Sequence, residues 1–246
     1  MSWLEILTLA ILPAFLGLDF IHQARAVNTV RWWRIRAFLV TIAAFALSTA
    51  VAAGWALALD GYSLLKGDRL GTAGGAIAGV LLYELCHYAY HRFAHHFMPL
   101  WRVHQMHHSA ESLDVWGAYY LHPLDVVFFT TWSALVMFPI LGLSAEAGGI
   151  AVAFITFCGI FQHANISTPH WLGYLVQRPE SHVIHHAKDV QHCNYADLPL
   201  IDMIFGTFHN PRSIKGIDQG FYFGASRRLV DALLLRDVTS PDRTIR

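Results

Sequence analysis

Apolar residues collect in five stretches, 4–21, 38–59, 71–90, 126–143 and 149–166. Each comes close to the roughly 20 helical residues that cross a hydrocarbon core about 30 Å thick. The second stretch holds no charged side chain, the first has Glu5 and Asp19 near its ends, and the third has Glu84 towards its C-terminal end. The short segment SAEAG joins the fourth to the fifth and predicts a helical hairpin. No repeat, low-complexity tract or Pro/Gly/Ser-rich linker divides the chain. The expectation is one all-α, polytopic membrane domain over residues 1–246, with about four to five transmembrane helices.

Charged side chains make up 14% of the sequence and hydrophobic ones 55%, against about a quarter charged in soluble domains. Net charge is zero with histidine neutral, which gives no sign of a nucleic-acid partner. Cys86, Cys158 and Cys193 lie far apart, in or beside apolar stretches, and form no CxxC pair. They read as buried small hydrophobes rather than a disulfide framework or a thiolate zinc site. The N-terminus has no basic leader and no small-residue cleavage site, so it reads as a retained membrane segment.

Basic residues orient the chain, because basic loops stay cytoplasmic. The linker after the first stretch carries Arg25, Arg31, Arg34 and Arg36 with no acid, whereas Lys66 and Arg69 in the next linker are offset by Asp60 and Asp68. Alternating spans then put residues 91–125 and everything after about 166 on the cytoplasmic face, with fifteen of the seventeen basic residues. The segment LVDALLL, flanked by Arg227, Arg228 and Arg236, reads either as an amphipathic helix on that face, covering the histidines or a substrate entrance, or as an ordinary packed terminal helix.

The stretch HRFAHHFMPLWRVHQMHH, residues 91–108, holds six histidines in eighteen residues, and SHVIHH follows at 181–186. On a helix, residues i, i+3 and i+4 share a face. His91 and His95 are spaced i, i+4; His104, His107 and His108 form an i, i+3, i+4 triple, and His182, His185 and His186 repeat it. Each group can aim its imidazoles at one point, and neutral imidazole binds Zn, Fe, Cu and Ni. Eight such side chains exceed what one ion needs, so two metals are the economical reading.

These residues also carry a resemblance. HRFAHHFMPLWRVHQMHHS is similar to the HRxxHxxxxLWxxHxxHHS signature of the fatty acid hydroxylase/sterol desaturase superfamily of membrane di-iron enzymes. The likeness continues through LHPLD, FQHANI, SHVIHH and NYADLPLIDMIFGTF, so the histidine motifs fall within residues 84–209. The resemblance implies a cytoplasmic helical cap that carries a histidine-rich site for two Fe ions, which Zn can replace in recombinant protein. It further implies O2 as co-substrate and a lipid-like substrate drawn from the bilayer. Electrons would come from a separate protein of the ferredoxin or cytochrome b5 type. The activity implied is hydroxylation of a C–H bond, with desaturation or ether-lipid monooxygenation as alternatives from the same histidines.

Carried over by position, the implied ligands are His91, His95, His104, His107, His108, His163, His182, His185 and His186. His122 matches an HP motif and is either a ligand or a donor to one. His87, one turn before His91, reads as a satisfied interior histidine rather than a ligand. His192 is the remaining histidine expected nearest the site; His96, His170 and His209 read as surface or supporting residues and His22 as interfacial. Asn165 is expected to hold a ligand or water, and Asp202, Glu84, Asp125 and Asp189 to support ligand histidines. Trp101 reads as a packing residue. A metal-transporting or metal-sensing membrane protein is the competing class, but it would put polar ligands near the bilayer midplane on broken helices.

Overall fold

The structure is a computed structural model that describes residues 3–27, 30–190 and 192–241. Nine α-helices order the described residues: α1 (Trp3–Ile21), α2 (Trp33–Ala58), α3 (Gly71–His96), α4 (Met98–His108), α5 (Pro123–Leu135), α6 (Ala145–Phe161), α7 (Pro179–His185), α8 (Pro199–Phe205) and α9 (Leu229–Leu233). No named strand occurs among them; one isolated bridge joins Ala187 to Gln219.

Among the described residues three segments are long and apolar enough to cross a membrane: α1, α2, and α5 together with the π-helical turn that extends it, Pro123–Ile140. That turn, Val136–Ile140, contains Pro139, which has no N–H to give to a helical ladder, so the ladder widens there. α6 is apolar but 17 residues long. α3 spans 26 residues, about 39 Å at 1.5 Å per residue, and is more polar.

Two boundaries differ from the expected ones in ways that matter. α3 continues past residue 90 to His96, so His91 and His95 ride on the same rod as Glu84. α6 stops at Phe161, where the apolar run loses its pattern, which leaves His163 and Asn165 in a turn rather than inside a span.

α3 packs chiefly on α6, α2 on α5 and α1 on α6. The α3 contact is flush because Gly79 has no side chain: a Cβ there would meet Met137 Sδ at 2.7 Å and Leu143 Cδ1 at 3.0 Å. The α2–α3 and α5–α6 connections are laced together by backbone bonds from Leu64, Leu65, Gly67 and Asp68 to the carbonyls of Pro139, Ile140, Leu141 and Gly142. Those connections lie at one end of the bundle, and α3, α5 and α6 carry the histidines, or the turns next to them, to the other.

At the histidine end Val30, Trp33, Met106, Tyr120, Ala232 and Val238 form a buried apolar cluster. Trp33 Nε1 donates to Asp114, which also caps the turn at Gly117. Along α1, α2 and α3, by contrast, Leu9, Leu39, Leu57 and Ile77 are exposed, an apolar exterior compatible with a lipid surround. The LVDALLL segment forms only the five-residue α9. Gln105 on α4 clasps the chain beyond it through the Arg236 carbonyl (2.7 Å) and the Val238 N–H (3.1 Å). Ala232 is buried in this contact, while Val230, Leu233, Leu234 and Leu235 stay exposed.

Candidate metal centre

Phe97, in an extended conformation, ends α3 and starts α4, with Pro99 in the first turn of the new helix. The break folds α4 back against α3. His91 and His95 therefore face His104, His107 and His108 across the bend. α7, which starts with Pro179, brings in His182 and His185, with His186 as its C-cap, and the turn after α6 adds His163.

The nine histidines fall into two neighbouring groups. His91, His95, His104, His108 and His185 form one, and His107, His163, His182 and His186 the other; in each, one ring nitrogen per residue lies within 4.8 Å of the rest. Stacked rings of His108 and His186, 4.2 Å apart, join the groups. In the second group Nε2 atoms sit 3.2 Å apart for His107–His163, 3.2 Å for His163–His182 and 3.1 Å for His182–His186. Two nitrogens bound at about 2.1 Å and at right angles on one ion would be about 3.0 Å apart, so this spacing suits a shared ion.

In three of the five members of the first group the other ring nitrogen is anchored, whereas His95 and His108 have no partner on either nitrogen. His91 Nδ1 meets the Tyr195 carbonyl at 2.7 Å, His185 Nδ1 the Cys193 carbonyl at 2.7 Å and His104 Nδ1 the Asp125 carboxylate at 3.1 Å. A carbonyl or carboxylate accepts, so Nδ1 carries the proton and Nε2 keeps its lone pair. Nε2 of His91, His95, His104, His108 and His185 is buried without a protein partner. Orphaned buried acceptors are costly, and here they converge. Burial, with neighbouring imidazoles adding, pushes His107, His108, His182 and His186 well below the ordinary histidine value. His185 is brought by burial to about 3. Neutral imidazole is the ligating form. The residues thus fit a pair of iron or zinc ions.

The expected supports divide. Asp125, buried on α5, accepts from His104 and from the Tyr90 hydroxyl at 2.6 Å. Asp202 and Glu84 touch no imidazole of either group; they hold the 195–198 loop, Asp202 through the N–H groups of Tyr195 and Ala196, Glu84 through those of Asp197 and Leu198. Their effect on the site passes through the Tyr195 carbonyl. Asn165 is turned away and bonds Arg25 on its backbone N–H, its Nε and its carbonyl. Asp189 is exposed.

His122 lies outside both imidazole groups, with both ring nitrogens in contact elsewhere. Nδ1 caps α5 at the Leu124 N–H, and Nε2 meets the Leu233 carbonyl. His87 stacks on His91 at 5.5 Å but belongs to a separate buried trio with Glu84 and Asp197. His22, His96, His192 and His209 are exposed, and His170 meets the Asn210 carbonyl. Trp101 packs on the rings of His95 and His108.

Several participants were not singled out by the sequence, although Gln162 and Asp197 lie within the FQHANI and NYADLPLIDMIFGTF motifs. The carbonyls of Tyr195, Cys193 and Gly159 are positioned by backbone course alone, and Gln162, Gln177 and Asp197 become neighbours only in the fold.

A cavity of about 560 Å³ adjoins the histidines, bounded by His91, His104, His107, His163 and His182 at one end and following α2 from Ala44 to the Leu59–Tyr62 turn. Its walls are mainly apolar, with Ser48, Thr130 and Thr156 among the few hydroxyls.

A helical bundle compatible with a membrane, with two convergent imidazole groups that could hold metal beside an apolar cavity, defines the class of the protein. The chain belongs to the fatty acid hydroxylase family, whose model matches residues 76–207. An ornithine lipid hydroxylase OlsE of Rhizobium tropici is 30% identical over 167 residues, 66% of this chain and 50% of that protein. A very-long-chain aldehyde decarbonylase GL1-1 of Oryza sativa subsp. indica is 31% identical over 188 residues, 68% of this chain and 29% of the relative. Human alkylglycerol monooxygenase is 28% identical over 141 residues, 53% and 30% of the two chains. The chain thus spans half or less of the length of these three relatives. No solved structure matches it.

Proposed function

We propose that the protein is a membrane-bound di-iron oxygenase that hydroxylates a C–H bond of a lipid or sterol-like substrate with O2 and externally supplied electrons. The observation that carries this reading is the contact between the two imidazole groups and the end of the apolar cavity. In the first group His91, His95, His104, His108 and His185 would hold one ion; His107, His163, His182 and His186 would hold the other. The loaded pair supplies the reduction of O2 and the oxidation of an unactivated C–H bond.

The rest is done by the chain. Tyr195, Cys193 and Gly159 carbonyls and the Asp125 carboxylate fix which ring nitrogen faces the centre. Apolar walls on α2, α5 and α6 take an alkyl chain or ring and keep water from the reacting carbon. Exposed apolar faces let substrate arrive by lateral diffusion in the bilayer. Five crossings, α1, α2, α3, α5 and α6, with the histidines and the C-terminus on the cytoplasmic face, agree with the arginine-rich first linker and would put the site within reach of a ferredoxin or cytochrome b5-type donor. The names of the relatives, among them two oxygenases of lipids, support hydroxylation over desaturation.

The test is lipid mass spectrometry of cells with and without the protein. A species heavier by one oxygen that depends on His107 supports hydroxylation, and one lighter by two hydrogens would move the assignment to desaturation. An unchanged lipidome in cells with iron-loaded protein and a working donor would remove the proposal.

A further inference from the structure

Among the described ligand candidates, the second nitrogen of His182 faces a side-chain amide, where those of His91, His104, His163 and His185 face a carbonyl or carboxylate. Its Nδ1 lies 2.9 Å from Gln177 Nε2, Gln177 Nε2 lies 2.7 Å from Gln162 Oε1, and Gln162 Nε2 lies 2.9 Å from Asp197 Oδ1. All four side chains are buried. With the amides turned this way, Gln177 donates to a bare Nδ1, which leaves the proton of a neutral His182 on Nε2. That atom is the one that meets His163 and His186 at 3.2 and 3.1 Å, where a metal needs a lone pair.

Amide O and N are near-equal in size, so each glutamine can turn over in place with every contact kept. Turning both resolves the conflict. Gln177 Oε1 then accepts from His182 Nδ1–H and from Gln162 Nε2–H, and Gln162 Oε1 faces Asp197. Two oxygens 2.9 Å apart with no proton between them repel, so the last link needs a proton on the Asp197 carboxyl. Metal at His182 and a proton on Asp197 require each other.

We propose that Asp197 is a positioning residue held as the neutral acid, and that it sets, through Gln162 and Gln177, the tautomer of His182 that binds metal. This rests on the di-metal reading above and adds residues to it. The surroundings favour the neutral acid. Burial raises the Asp197 carboxyl and Asp202 on α8 adds to the rise; the opposing donation from Gln162 is removed when that amide is turned. Facing it are Glu84 and His87 from α3, a second buried carboxyl and an imidazole; Tyr83, Tyr119 and Cys158 are the other titratable groups it influences.

The experiment measures zinc affinity of the full-length, detergent-solubilised protein by chelator competition, together with infrared spectra. Gln177→Glu presents only acceptors, suits the proposed direction and should stay within about threefold of the wild type, whereas Gln177→Met, with no hydrogen bond to His182, should bind about 10–100-fold more weakly. The wild type should show a protonated-carboxyl C=O band that Asp197→Asn lacks, a readout that stands even if Gln177→Met does not fold. Gln177→Glu as weak as Gln177→Met, or no band difference at Asp197, overturns the inference. So does a third zinc per chain that Asp197→Asn removes, since that would make Asp197 an ionised ligand. Undiminished zinc binding in His182→Ala would instead sink the di-metal reading itself.

Discussion

Asp125 offers the sharpest perturbation of the centre that leaves every histidine in place. Its carboxylate is fully buried and has two partners, His104 Nδ1 at 3.1 Å and the Tyr90 hydroxyl at 2.6 Å. Asp125→Ala frees the His104 ring to rotate and removes the group that fixes its proton on Nδ1. Loss of such a support costs about 10–100-fold in metal affinity, which is about 1.4–2.7 kcal/mol. The stranded Tyr90 hydroxyl adds about 1–3 kcal/mol of lost stability. Affinity and stability must therefore be separated, and Asp19→Ala is the control. Asp19 is also buried and bonds Arg34 and Trp116, away from the histidines. Chelator competition on both variants, with thermal unfolding alongside, should show both destabilised and only Asp125→Ala weakened for one of its two ions. Wild-type affinity for both ions in Asp125→Ala would refute the argument that His104 binds through Nε2 with Asp125 behind it.

His107→Ala and His185→Ala, one from each imidazole group, should each abolish lipid oxidation in whole cells while membrane fractionation shows normal insertion, because no span depends on either ring. His87→Ala should keep most of that activity, since its trio lies outside both groups; a folded, inactive and metal-poor His87→Ala would move it into the ligand set. Ser48→Trp, in the cavity wall on α2, should block turnover of long-chain substrate yet leave metal content unchanged; full turnover would place the substrate path elsewhere. Gly79→Leu should destabilise the bundle by about 1–3 kcal/mol or more through overpacking, read as a lower unfolding temperature, because its Cβ alone comes within 2.7 Å of Met137.

Much of the architecture could be read from hydrophobic pattern alone, since four of the five apolar stretches reappear as α1, α2, α5 and α6 nearly in place. The end of α3 could not, because hydropathy falls at Tyr90 while the helix continues to His96 through a mixed turn in which His91 is buried and His95 half-buried, and Arg92, Phe93 and His96 are exposed. The i, i+3, i+4 spacing picked out eight of the nine gathered imidazoles, His163 coming from the resemblance alone, but it did not foretell their grouping: His107 parts from His104 and His108, and His185 from His182 and His186. Spacing has nothing to say about which atom of a side chain is already engaged. His122 was expected as a ligand or a donor to one and caps a helix; Asn165 sits two residues from His163 and bonds Arg25. Glu84 and Asp202 were expected behind histidines and instead stiffen a loop whose carbonyl does that work. The roles of Gln177 and of Asp197, the latter inside a quoted motif, were not legible because their chemistry depends on long-range neighbours and on the direction of an amide.

The most direct test of the central claim is the iron content of purified full-length protein made with ample iron, measured on the same preparation that oxidises its lipid. Two separate imidazole groups predict close to two iron atoms per chain in wild-type protein and about one lost in His163→Ala, which touches the second group alone. Active protein with one iron per chain, or with none, would contradict the di-metal account.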